Sequence, residues 1–281
     1  AGEQMKRTLA DGIRGEELNI LIGSRPFSQD EGSEKIKLNI LNILFEKYGM
    51  MESDFLSAEL EAVPAFPARD VGLDRSMIGS YGHDDRVCAY PAAEAIFAVE
   101  APEFTAITCL TDKEEIGSEG NTGLNSSYLR FFIADLANAN GENYHTVLRN
   151  TQCLSADVNA AFDPTFPDVL ERMNASFINR GVALTKYTGA RGKSGTSDAS
   201  AEFVGKVRRL LDENGVIWQC GELGKVDVGG GGTVAMFLAS LDIDVVDLGV
   251  PVLSMHSPFE VVSKLDVYMA YRAFKAFFED K

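Results

Sequence analysis

The 281-residue sequence lacks any apolar run long enough to cross a bilayer, and it shows no signal-peptide pattern. It is short of positive charge. Lys and Arg total 26 against 42 Asp and Glu, which leaves a formal net charge of −16 and a pI of about 4.6. Such a surface repels phosphate backbones and anionic lipid, so neither nucleic acid nor a membrane is an expected partner. The four cysteines, Cys88, Cys109, Cys153 and Cys220, are scattered, with no C-x-x-C pair. That excludes a zinc knuckle or a disulfide framework and leaves buried thiols in a reducing, cytoplasmic setting as the expectation. There is no low-complexity tract, no block of like charge and no internal repeat.

What is present is a chain 45% hydrophobic, enough for one large or two modest cores. Residues 1–78 hold a strand-like run at 18–22, a helical pattern through Ile36, Ile40, Ile43 and Leu44, and extended stretches at 55–63 and 70–73 broken by Pro64 and Pro67. This reads as a small α+β unit without a catalytic cluster. From residue 79 to 281 strand and helix alternate. Strands are expected at 105–110, 182–186, 216–219 and 244–248, and helices at 85–99, 126–137, 198–211, 233–241 and 259–278. Such alternation predicts an α/β fold, with helices layered on a largely parallel sheet and chemistry at the carboxyl ends of strands.

Four motifs carry residues of the right chemistry. Asp85 lies in Gly82-His83-Asp84-Asp85-Arg86, Glu114 and Glu115 in Asp112-Lys113-Glu114-Glu115-Ile116-Gly117-Ser118, Asp157 in Leu154-Ser155-Ala156-Asp157, and His256 in Ser254-Met255-His256-Ser257-Pro258. Each has an ordinary structural reading. Asp84-Asp85 fits a helix N-cap, Glu114-Glu115 a solvated turn, Asp157 a cap, and His256 a satisfied structural imidazole. Together they offer oxygen ligands, one nitrogen ligand and one spare carboxylate, which suits a pair of divalent cations in a hydrolase. Adjacent glutamates beyond an apolar run repel each other when desolvated, and a cation bound by one leaves the other free as a base. The run Gly229-Gly230-Gly231-Gly232-Thr233 lacks the Lys of a P-loop. It reads equally as a turn before a helix or as a close backbone approach to substrate.

In order and spacing these strings, with Gly224-Lys225-Val226-Asp227-Val228-Gly229 and Ser257-Pro258-Phe259-Glu260 added, resemble the aspartyl aminopeptidase / aminopeptidase I family of zinc metallopeptidases. The resemblance extends along essentially the whole chain, on the aminopeptidase I side. It implies a three-layer α/β metallopeptidase catalytic domain over 79–281 and, over 1–78, the later part of an inserted α+β dimerisation domain. It also implies homo-oligomers, dimers built into a tetrahedral dodecamer. By motif matching, Asp85 bridges two metals, Glu115 and His256 complete one, Asp157 serves the other, and Glu114 is the general base. A cis non-proline peptide is implied at Asp85-Arg86. The family's N-terminal His-x-Asp motif does not occur here and is expected to lie before Ala1, so the N-terminal part of the catalytic domain is missing.

The implied activity is removal of N-terminal residues from peptides by two-metal hydrolysis. Zinc suits the mixed donors, and manganese or cobalt also fit. Lys186 is a candidate for holding an acidic substrate side chain, with neutral N-terminal residues an equal alternative, and Gly230 is a candidate for backbone contact with substrate. Two other readings compete: a non-catalytic structural subunit of the same family, and a small-molecule amidase or deacylase on the same metal chemistry.

Overall fold

A computed structural model of the chain describes residues 4–28, 32–191 and 194–281. It divides into two compact units, Ala1–Val63 and Pro64–Lys281. The first unit contains three short 3-10 turns, helix α1 (Lys35–Tyr48) and a further 3-10 turn at Glu52–Leu56. Gly49, at φ 70°, closes α1 by donating its N–H to the Phe45 carbonyl. No strand forms among this unit's described residues, and the strands of the region 1–78 come after Val63. The run 18–22 has strand composition, but no neighbouring ladder receives it, and Leu21 is 89% exposed. None of this unit's described residues is buried outright; on α1, Ile36, Leu38, Ile43, Phe45 and Tyr48 are exposed, while Ile40, Leu41 and Leu44 are partly covered.

The second unit starts with β1 (Arg69–Val71), close to the extended stretch expected at 70–73, and β2 (Met77–Ser80), which is not among the expected elements and straddles residue 78; both belong to this unit's sheet. There follow α2 (His83–Phe97), α3 (Tyr128–Ala139), α4 (Tyr144–Asn150), β3 (Gln152–Ser155), β4 (Asn159–Ala160), β5 (Val182–Thr185), β6 (Tyr187–Ala190) and β7 (Ser194–Asp198). The remainder is α5 (Ala201–Glu213), β8 (Trp218–Cys220), α6 (Ala235–Ala239), β9 (Asp244–Gly249), β10 (Pro251–Leu253), β11 (Glu260–Ser263) and α7 (Lys264–Glu279). The α/β class holds, but the sheets are mixed and not largely parallel. One runs β1-β2-β11-β10-β4 and is antiparallel except for β10 with β4. The other runs β3-β9-β5-β8, with only its central β9–β5 pair antiparallel, and β6–β7 is a hairpin.

The two larger sheets share a joint. The parallel pair β3/β9 leaves one sheet and re-pairs as β4/β10 in the other. Asp157 lies between β3 and β4, and Val250 between β9 and β10. Helices cover the core with one apolar stripe each: Phe203, Val207, Leu210 and Leu211 on α5, and Met269, Ala270, Ala273 and Phe274 on α7. Ser200 caps α5 by accepting the Phe203 N–H at 3.2 Å.

Three further expectations change. Residues 259–278 split into strand and helix, because Val261 and Val262 are β-branched and β11 is paired on both sides, leaving α7 to begin after Ser263. Residues 105–110 form no strand, since no ladder partner stands beside them among the described residues. The cysteines are all free, but only Cys88 is buried outright. Cys109, in that unpaired run, and Cys220, at the end of β8, are exposed. No helix is long and apolar enough to cross a membrane among the described residues.

A carboxylate-rich candidate metal centre

Strand ends position the site. β2 and β10 both run antiparallel to β11, which lies between them, so their carboxyl ends point the same way. Asp84 and Asp85 follow β2 at the start of α2, and His256 follows β10. Asp157 sits at the β3–β4 joint. Glu114 and Glu115 ride on a 3-10 turn, Glu114–Ile116, that begins after Lys113 in the left-handed region at φ 66°. That turn is closed by Gly117 N–H to Glu114 carbonyl at 2.9 Å and Ser118 N–H to Lys113 carbonyl at 2.7 Å. His256 itself has φ 64° and Ser254 φ 59°. Non-glycine residues hold such angles at a cost of about 1 kcal/mol or more each, and they cluster where side chains must be aimed.

Three groups of donor atoms, each within 4.8 Å of one another, result: Asp84 with Glu115 and His256, Asp84 with Asp85 and Asp157, and Asp85 with Glu114 and Glu115. The His256 Nε2 lies 3.1 Å from Asp84 Oδ2 and 3.2 Å from Glu115 Oε2. Asp157 Oδ1 accepts the Val158 N–H at 2.7 Å. The four acids expected from the motifs, Asp85, Glu114, Glu115 and Asp157, therefore meet in one cluster with His256.

So many carboxylates in one place are electrostatically costly. Burial, then the approach of Asp85, Asp157 and Glu115, pushes Asp84 far above the usual carboxylate range. Asp157 is driven up in the same way by burial and by Asp85 and Glu114. Glu114 is pushed up to about 7 by burial, then by Asp85 and Glu115, with His256 acting in the opposite direction. One oxygen of Asp85, Oδ1, is buried with no hydrogen-bond partner. Crowded anions and an orphaned buried oxygen both call for positive charge, so the residues fit divalent cations.

Two residues that sequence reasoning passed over prove central. Among the described residues, Asp84 is the one carboxylate grouped with both His256 and Asp157. Glu260, 2% exposed, accepts the backbone N–H of His256 at 2.8 Å and that of Asp84 at 3.1 Å. The cis non-proline peptide is at Asp84-Asp85, one bond earlier than expected. Two adjacent aspartates carry no sequence signal to say which of them faces both His256 and Asp157. His83 is a structural imidazole, its ring on the Ile78 carbonyl at 3.2 Å and its pKa lowered chiefly by burial.

The two substrate-contact candidates have protein partners. Lys186 pairs with Asp198. The glycine run packs on the β6–β7 hairpin, with Gly189 N–H donating to the Gly231 carbonyl at 2.9 Å and Arg191 N–H to the Gly229 carbonyl at 2.6 Å. Gly230 has φ 92°, and a Cβ there would lie 2.6 Å from the Gly189 oxygen. Close backbone packing explains Gly230 and Gly232.

An α/β scaffold that gathers aspartates, glutamates and one histidine in one cluster offers the donor set of a carboxylate-rich divalent-metal centre. Residues 6–278 match the family described as aminopeptidase I zinc metalloprotease (M18), and the chain belongs to that family. The probable M18 family aminopeptidase 1 of Clostridium acetobutylicum is 48% identical over 281 residues, 99% of this chain and 60% of the relative. The crystal structure of the M18 family aminopeptidase from Thermotoga maritima matches with a TM-score of 0.93 at 46% identity, over 98% of this chain and 62% of that one. The Saccharomyces cerevisiae mApe1 dodecamer matches with a TM-score of 0.69 at 25% identity, over 86% of this chain and 55% of that one. The chain thus spans about 60% of the length of the Clostridium acetobutylicum relative.

Proposed function

We propose that this chain carries the main part of a two-metal aminopeptidase centre, with Asp84 as the shared ligand. Glu115 and His256 would complete one cation site, and Asp157, with Asp85 beside it, would serve the other. The observation that carries this reading is that, among the described residues, Asp84 alone is grouped with both His256 and Asp157. Zinc suits the mixed oxygen and imidazole donors, and manganese and cobalt fit the same set. When bound, the cations would supply Lewis acidity, acidifying the attacking water and polarising the scissile carbonyl.

The chain's own residues do the rest. Glu114 stands in the cluster but outside the two groups that hold His256 and Asp157, which leaves it free to take a proton from the attacking water and return it to the departing amine. The surrounding acids attract a substrate's free α-ammonium group, which gives exopeptidase selectivity. Lys186 would reach an acidic N-terminal side chain in exchange for Asp198, and Gly230 would line the approach for the peptide backbone. The exposed apolar side chains of the first unit suit burial against a second copy in a homo-oligomer. In its relatives' family, the yeast protein mApe1 is a dodecamer.

The test compares leucine and glutamate p-nitroanilides with their N-acetylated forms, with and without a chelator. Cation-dependent release from the free-amine substrates alone is expected. Equal cleavage of the acetylated substrates would point to an amidase or deacylase, and no cleavage with zinc, manganese or cobalt would point to a structural subunit.

A further inference from the structure

We propose that Glu260 is the positioning residue of the centre: its carboxylate clamps the two loops that carry Asp84 and His256. The inference rests on the reading of those two residues as cation ligands. Glu260 opens β11, and β11 lies between β2 and β10. Its backbone is paired with Ser80, at the end of β2. Its side chain thus starts between the two strand ends from which the ligand loops depart. From there one oxygen takes the His256 N–H at 2.8 Å and the other takes the Asp84 N–H at 3.1 Å, across 176 residues of sequence.

Neither donor has a helix or sheet partner for its N–H. His256 has φ 64° in an irregular loop, and Asp84 has non-helical angles at the head of α2. A carboxylate accepts from both of these partly buried donors at once and so holds them a fixed distance apart. Because both donors are the ligands' own amides, the clamp acts on where Asp84 Oδ2 and His256 Nε2 meet, 3.1 Å apart. Glutamine offers one acceptor oxygen, and its NH2 group would face an N–H. Aspartate keeps both oxygens but is one methylene short.

The experiment titrates Co(II) into the full chain, reading affinity by chelator competition and geometry by the Co(II) absorption spectrum. Glu260→Gln and Glu260→Asp are compared with wild type, and metal-free melting is recorded for each. The expected result is at least about a tenfold loss of Co(II) affinity with an altered spectrum in both variants, the scale typical of groups that orient metal ligands. Should Glu260→Gln not fold, Glu260→Asp carries the test. A folded variant with wild-type affinity and spectrum overturns the proposal, as does a lowered melting temperature with the spectrum unchanged. A wild-type chain that binds no Co(II) overturns the metal reading and this inference with it. Wild-type binding matched by both variants overturns this inference alone.

Discussion

Gly249 of β9 and the carbonyl of Asp157 pass so closely that a Cβ on Gly249 would lie 1.5 Å from that oxygen. The contact falls at the joint where β3/β9 becomes β4/β10, and the neighbouring Asn159 N–H donates to the Val250 carbonyl there at 3.0 Å. The absence of a side chain in one strand is what lets Asp157 stand in the cluster.

Gly249→Ala is therefore expected to cost about 3 kcal/mol or more, because the obstacle is backbone and not a flexible side chain. It should also weaken cation binding by displacing Asp157. Denaturant unfolding in chelator and a cation titration of the folded fraction check both effects. Wild-type stability and affinity together would show that the joint opens freely.

Glu114→Gln should retain cations and lose about two to four orders of magnitude in turnover, the range that general base catalysis supplies. Metal content and kcat measured on one preparation decide it. Full turnover in a metal-loaded variant would remove Glu114 from the proton path.

Asp247 gives a pH prediction outside the cluster. Buried in β9, it is pushed up to about 6, chiefly by burial, with Ser155 and Thr233 nearby offsetting part of the effect. Below the usual aspartate value of about 4 it is protonated in the folded and unfolded chain alike. Above 6 the folded chain must ionise it in the core. Its contribution to stability therefore falls as pH rises from about 4 to about 6, by roughly 3 kcal/mol, and stays low at neutral pH. Asp247→Asn should gain on wild type across that window, by about 1–3 kcal/mol at pH 7 in chelator. A difference between the two proteins that does not vary with pH would contradict this.

Much of this was legible in the sequence. Periodic apolar stripes marked α2, α3, α5 and the body of α7, and the apolar runs of β5 and β9 marked the core strands. What failed depends on neighbours that a linear pattern does not show. Residues 105–110 and 18–22 have strand composition but no ladder to join. Glu260-Val261-Val262-Ser263 resembles the start of a helix until β2 and β10 are seen on either side. The cluster was legible because Asp85, Glu114, Glu115, Asp157 and His256 each end an apolar run. Asp84 was not, since an adjacent pair of aspartates does not reveal which one faces both His256 and Asp157. Glu260 was hidden because a buried glutamate in a short strand looks the same in sequence as a solvated one on a helix.

The most direct measurement is anomalous diffraction at the zinc edge from crystals of the zinc-loaded protein. Two peaks are expected, one near Glu115 and His256 and the other near Asp157, with an oxygen of Asp84 ligating each. A single peak, or two peaks bridged by Asp85 with Asp84 ligating neither, would contradict a centre built around Asp84.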